Sequence, residues 1–158
     1  MESTPRAADI HNNLGIALAA TGQPEEAIAQ FREALRVEPN SPTAHRNLGD
    51  ALVSQGIQDE GIEHLRRAVQ LDPGDGSTRY VFGSVLLEAG MFKEATEQFH
   101  VALRLMPGSA EAHNNLGIAL ASQGQLDDAV EQFQHALKLQ PTFDEAQQNL
   151  AKLRRLTP

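Results

Sequence analysis

The chain has 158 residues, 41% of them hydrophobic and 4% aromatic, with a single tyrosine and neither tryptophan nor cysteine. That is apolar material for a core of ordinary domain size, and it excludes disulfides and thiolate metal sites. Thirteen Lys and Arg against 21 Asp and Glu leave a formal charge of −8, which argues against a general electrostatic grip on nucleic acid or anionic lipid, so neither is expected as a partner.

The chain opens on MESTPRA, residues 1–7, a polar stretch expected to be a disordered tail. It has no basic segment leading into an apolar run, and no window approaches 18 consecutive apolar residues. Neither a signal peptide nor a membrane span is expected, and the expected location is cytoplasmic. From residue 8 a period of 34 takes over. HNNLGIAL at 11–18 returns unchanged at 113–120, three periods later. Leu14, Leu48, Phe82 and Leu116 share one column, and each is followed by Gly15, Gly49, Gly83 or Gly117. Further columns hold Gly22, Gly56, Gly90 and Gly124; Ala27, Gly61, Ala95 and Ala129; Phe31, Leu65, Phe99 and Phe133; Ala34, Ala68, Ala102 and Ala136; and Pro39, Pro73, Pro107 and Pro141. Four repeats therefore occupy 8–41, 42–75, 76–109 and 110–143.

Apolar residues recur three and four positions apart, as at Ala27, Ile28, Phe31, Ala34 and Leu35, which is helical spacing. Each repeat is predicted to be two helices, the first ended by a left-handed Gly and the second stopped near its Pro. Small residues in the Gly15 and Ala27 columns let the two helices approach closely. Gly61 in that column costs about 1 kcal/mol against Ala in a helix interior, which marks the second repeat as the expected soft point. Residues 144–156, DEAQQNLAKLRRL, form half of a fifth unit and read as a capping helix. Lys152, Arg154 and Arg155 give it a wet face beside Leu150, Leu153 and Leu156. No comparable cap precedes the first repeat.

The Leu-Gly, Ala, Phe, Ala and Pro columns at this period resemble the tetratricopeptide repeat over residues 8–156. Two positions depart from its pattern: His11, His45, Arg79 and His113 replace an opening aromatic, and Leu18, Leu52, Leu86 and Leu120 replace a Tyr. The resemblance implies an all-α fold, a right-handed solenoid of four helix-turn-helix repeats whose first helices line a concave groove. It implies the groove positions as well: Asn12, Arg46, Tyr80, Asn114 and Gln148 in one column, Ile16, Asp50, Ser84, Ile118 and Lys152 in another, and Val53 and Leu87 a turn later. Tyr80, Val81 and Leu87 form the most apolar stretch, a candidate pocket for an anchoring side chain.

The residue before the signature Leu is Asn13, Asn47, Asn115 and Asn149 in four first helices, with Val81 in the remaining one. An Asn amide pairs with a backbone amide through its N–H and C=O without reading a side chain. First helices about 10 Å apart would let one Asn meet about every third residue of an extended strand. Such a ladder is similar to that in the repeat region of the O-linked N-acetylglucosamine transferase. The same column also serves in packing between repeats, and the pattern alone leaves both readings open. The cations that clamp a chaperone C-terminus in some members of the family are not at the matching positions.

Six histidines, His11, His45, His64, His100, His113 and His135, show no i, i+4 pair and are expected in packing or at the surface. DPGDGS at 72–77 lacks the alternating ligands of a calcium loop and reads as a turn. No motif for phosphate binding, nucleophilic catalysis or zinc hydrolysis is present. The expectation is a non-enzymatic scaffold, with no cofactor or metal, that binds an extended peptide or protein segment. Two alternatives are a substrate-recruiting or regulatory region of a larger enzyme such as a glycosyltransferase, and a self-assembling module that pairs through its uncapped first helix.

Overall fold

The structure, a computed structural model, describes residues 4–156, with the side chains of 7–155. Helices run as α1 Thr4–Ala20, α2 Pro24–Val37, α3 Pro42–Ser54, α4 Gln58–Leu71, α5 Gly76–Glu88, α6 Phe92–Leu105, α7 Ala110–Ser122, α8 Leu126–Leu139 and α9 Asp144–Leu156. Among the described residues there is no strand, and the fold is all-α. The chain divides into two compact units, 1–74 and 75–158. In the first unit α1 packs on α2, α3 on α4 and α2 on α3. In the second, α5 packs on α6, α7 on α8, α6 on α7 and α8 on α9.

One expectation is corrected at the start of the chain. Four of the seven residues assigned to a disordered tail, Thr4–Ala7, belong to α1, because Pro5 stands in the first turn, where its missing N–H has no helical partner to lose. Residues 1–3 lie outside the described chain.

Every first helix through α7 ends the same way. Gly22, Gly56, Gly90 and Gly124 sit at φ 73° to 79°, where an L side chain is strained. The following residue returns its N–H to a Leu carbonyl five positions back: Gln23 to Leu18, Ile57 to Leu52, Met91 to Leu86 and Gln125 to Leu120, at 2.8–3.0 Å. Carbonyls that the helix end would leave unpaired are thereby satisfied, and the chain turns tightly into the second helix. The starts of α3, α5 and α7 are capped in turn by the Ser41, Asp75 and Ser109 side chains, which accept from Ala44, Ser77 and Ala112 N–H. Asp75 is thus the helix-starting residue of the DPGDGS turn.

Within a pair, the aromatic ring of the second helix lies on the glycine of the first. A Cβ built on Gly15 would fall 2.5 Å from Phe31, one on Gly83 2.8 Å from Phe99, and one on Gly117 2.6 Å from Phe133. The pair α3–α4 solves the problem differently. Leu65 replaces the ring, and the two backbones close on each other, so that a Cβ on Gly61 would meet Gly49 O at 2.8 Å and Val53 Cγ2 at 2.6 Å. Gly61 is therefore required by close approach, which corrects its reading as merely a poor helix former. At the far end Ala146, Leu150 and Leu153 of α9 are buried and Lys152, Arg154 and Arg155 exposed, as a cap requires.

Candidate functional site

The Asn column makes a ladder, and its first partners are inside the protein. Asn47 Nδ2 donates to Asn12 Oδ1 at 2.9 Å, and Asn149 Nδ2 donates to Asn114 Oδ1 at 3.1 Å. Asn115 Nδ2 sits 3.4 Å from the Tyr80 hydroxyl and 3.3 Å from Ser84 Oγ. Each rung joins a first helix to the preceding repeat, 35 positions earlier at Asn12, Tyr80 and Asn114 and 31 at Ser84, the packing role that the sequence left open. Asn13 is exposed. Val81, which has no amide, occupies this column in the first helix of the second unit.

The predicted groove residues then separate into those with surface to offer and those without. Asn114 has none: it is 0% exposed, and its Nδ2 donates to Glu145 Oε1 at 3.1 Å and lies 3.4 Å from Asn115 Oδ1. Its inclusion in a binding surface is corrected, because the amide is spent holding α7 to α9. Asp50 and Gln148 are exposed, while Asn12, Arg46, Asn47, Tyr80, Val81, Ser84, Leu87, Asn115 and Asn149 are half-buried. Tyr80 lays its ring 6.2 Å from that of Phe99, and Ser84 Oγ donates to Tyr80 O at 3.1 Å.

Two open clefts include some of these positions and lie between first helices and a second helix. One, of about 420 Å³, is lined in the first unit by Ile16, Ala19, Pro24, Phe31, Asn47, Asp50 and Ala51, with Gly22, Ser54 and Gln55 at its edge. The other, of about 320 Å³, is lined in the second unit by Ile118, Ala121, Leu126, Phe133, Asn149, Lys152 and Leu153, with Ser122 beside them. Those two sets of seven are the same seven columns, 102 residues apart. Both clefts form where the first helices of successive repeats straddle the buried Phe of the second helix. Column 19 holds Ala in both, whereas the third repeat places Leu87 there, and it places Phe92 in the column of Pro24 and Leu126.

Sequence reasoning missed a second set of contacts, which explains the lost aromatic. His11 Nδ1 bonds Gln30 Oε1 and His113 Nδ1 bonds Gln132 Oε1, both at 2.8 Å, and Arg79 Nη1 donates to Gln98 Oε1 at 2.8 Å. A polar pair 19 residues apart thus ties the two helices together. In α3–α4 the Gln is replaced by His64, whose Nδ1 lies 2.9 Å from His45 Nδ1. Burial depresses both imidazoles below their ordinary value, the Pro39 carbonyl opposing this at His45 and the His45 charge adding to it at His64. The signal was legible as the constant spacing of 19 between these columns. Among the described residues no group of three or more His, Asp or Glu could hold a metal ion, and no helix is long and apolar enough to cross a membrane.

Antiparallel helix pairs that repeat every 34 residues, each buried through its neighbours, define a helical repeat protein. The tetratricopeptide repeat profile matches residues 2–36, 12–76 and 110–143, and the chain belongs to that family. No curated protein sequence matches it. Among solved structures it is similar to MamA from Desulfovibrio magneticus RS-1, residues 41 to the end, with 27% identity and a TM-score of 0.89 over 95% of this chain and 85% of that one. A MamA RS-1 double mutant gives 27% identity and 0.90 over 95% and 84%. PilF of Pseudomonas aeruginosa, at 24% identity and 0.85 over 98% and 71%, shares the fold.

Proposed function

We propose that the chain is a non-catalytic protein–protein interaction scaffold that binds an extended peptide or protein segment along its first helices. One observation carries the reading. Asn47 and Asn149 are each oriented by a bond to the preceding repeat and each border an apolar cleft. An amide with one N–H so engaged keeps a second N–H and its carbonyl oxygen for a bound backbone. The apolar floor supplies the affinity that such polar pairing lacks. Of the groove positions with surface to offer, Asn13, Asn47, Asp50, Asn115, Gln148 and Asn149 are the polar ones assigned to backbone and side-chain pairing on this surface, and the same surface serves if the chain recruits substrates for a larger enzyme.

The test is a peptide-library screen on the purified chain, followed by mapping of bound peptides through backbone amide shifts. Shifts at Asn13, Asn47, Asn115 and Asn149, with affinity lost when these four are changed to Ala and the variant still unfolds cooperatively, are expected. Peptides that bind without moving any of these amides overturn it.

A second reading, self-association through α1, is favoured by a separate observation. Ile10 is 59% and Leu14 46% exposed, whereas Ala44 and Leu48 in the same columns of α3 are 1% and 0% exposed. The face that packs on a preceding repeat is open in α1. Sedimentation of the chain beside Ile10→Lys/Leu14→Lys distinguishes the readings, since only self-association makes the mass fall.

A further inference from the structure

The two clefts share seven columns and differ in charge at one of them. The position at the rim is Asp50 in the first unit and Lys152 in the second. Both residues are exposed, and among the described residues neither is held in an ion pair. The rest of the lining is conserved in character: Ile16 and Ile118, Ala19 and Ala121, Phe31 and Phe133, Asn47 and Asn149. The lining is therefore apolar in both, with Pro24 and Ala51 in the first where the second has Leu126 and Leu153, and each has an Asn amide beside it and a charge of opposite sign at its rim.

We propose that the clefts are two binding sites of one design with opposite charge preference, and this rests on the reading of the first helices as a peptide-binding surface. The Asp50 cleft takes a segment whose apolar side chain has a basic neighbour, and the Lys152 cleft one whose apolar side chain has an acidic neighbour. The occupant in each case is an extended stretch of a partner protein. Its backbone pairs with the free face of Asn47 or Asn149, and its apolar side chain lies against Ile16 and Ala19 or against Ile118 and Ala121. The charge at the rim sets which sequence is accepted, because like charges placed together at a partly desolvated contact are rejected. The rim position lies outside the columns of Leu14 and Gly15, so the framework repeats while the charge differs between the two clefts. The third repeat places Leu87 and Phe92 in the matching columns.

The experiment titrates the full, isotope-labelled chain with two short neutral-capped peptides, each carrying one Leu in a Gly-Ser background, one flanked by Lys and the other by Glu. The Lys peptide is expected to move the amides of Asn47, Asp50 and Ala51, and the Glu peptide those of Asn149, Lys152 and Leu153. Because the charges sit at exposed rims, Asp50→Asn should weaken the Lys peptide about 3- to 5-fold. The double variant Asp50→Lys/Lys152→Asp should exchange the two sets of shifts. Peptides that move both clefts alike, with affinities indifferent to the exchange, overturn the charge preference and leave the peptide-binding reading standing. Absence of binding by either peptide overturns both. Shifts at these amides that grow with protein concentration alone assign the clefts to a second copy of the chain, and that also overturns the proposal.

Discussion

The pairs α3–α4 and α7–α8 occupy the same place in the repeat and fill it in two ways. In α7–α8 the Phe133 ring lies against Gly117, and Ala129 and Ala121 stand in the columns of Gly61 and Val53. In α3–α4 the larger Val53 stands where the other pair has Ala121, Leu65 replaces the ring, and Gly61 gives back the volume that Val53 takes. A residue that looks weak by helix propensity is thus the complement of a large neighbour on the other helix. Column averages describe the repeat, but the compensation is made between columns, pair by pair.

Removing the ring should produce the largest difference. Phe133 is 1% exposed, and Phe133→Ala is expected to cost about 3–5 kcal/mol in urea unfolding through lost burial and an unfilled cavity. Gly61→Ala follows, and its sign is what matters. Helix propensity alone promises a gain of about 1 kcal/mol, whereas a Cβ 2.8 Å from the Gly49 carbonyl oxygen requires the backbones to part, at about 1–3 kcal/mol. A net loss is expected, partly recovered by Val53→Ala in the double variant. A stabilised Gly61→Ala would show that α3 and α4 have slack.

The ladder gives the next comparison, between its ends. Asn149→Ala leaves the Oδ1 of fully buried Asn114 without its donor and is expected to cost about 1–3 kcal/mol. Asn13→Ala removes an exposed amide and should stay within about 0.5 kcal/mol of the parent. Equal losses at the two positions would contradict the structural role of the rungs.

Much of this was legible in the chain itself. The period, the helix pairs, the left-handed glycines and the cap follow from residue types whose conformational demands are local, and Gly22 or Pro39 signals its place without help from a partner. Part of the clefts' lining was legible, as Ile16, Asn47, Asp50 and their counterparts 102 residues on, but the open spaces were not, because they depend on which side chains fail to fill them. Ala19 and Ala121 look like ordinary small residues until Leu87 is seen in the same column. Asn114 was placed on the surface because its column faces outward in the repeat pattern. The acceptor that buries it, Glu145, comes from the next first helix and lies 31 residues away. Gly61 was misread for the same reason, since its justification is Val53 and the Gly49 backbone rather than its own helix.

The smallest expected effect concerns the pair that sets α3–α4 apart chemically. His45 Nε2 lies 3.1 Å from the Pro39 carbonyl, which can only accept, so that nitrogen carries a proton and the neutral ring offers Nδ1 as an acceptor to His64 Nδ1–H. His64 Nε2 then faces Glu60 Oε1 at 3.9 Å. A second proton on His45 would set N–H against N–H at 2.9 Å. Arg67 near His45 and Arg32 near His64 oppose protonation as well, and Glu60 and Glu63 resist this only at His64. Both imidazoles are held below the ordinary value of 6.5, so the unfolded chain binds more protons than the folded one once the pH drops to that value. The contribution to stability is fully present above about 6.5 and is lost as the pH falls through the lower folded-state values. His64→Gln installs the His–Gln pairing of the first and fourth repeats. It should keep its urea midpoint near neutral pH and lose less of it than the parent on acidification to about pH 5. Parallel declines would move the source of any acid sensitivity to groups that the variant and the parent share.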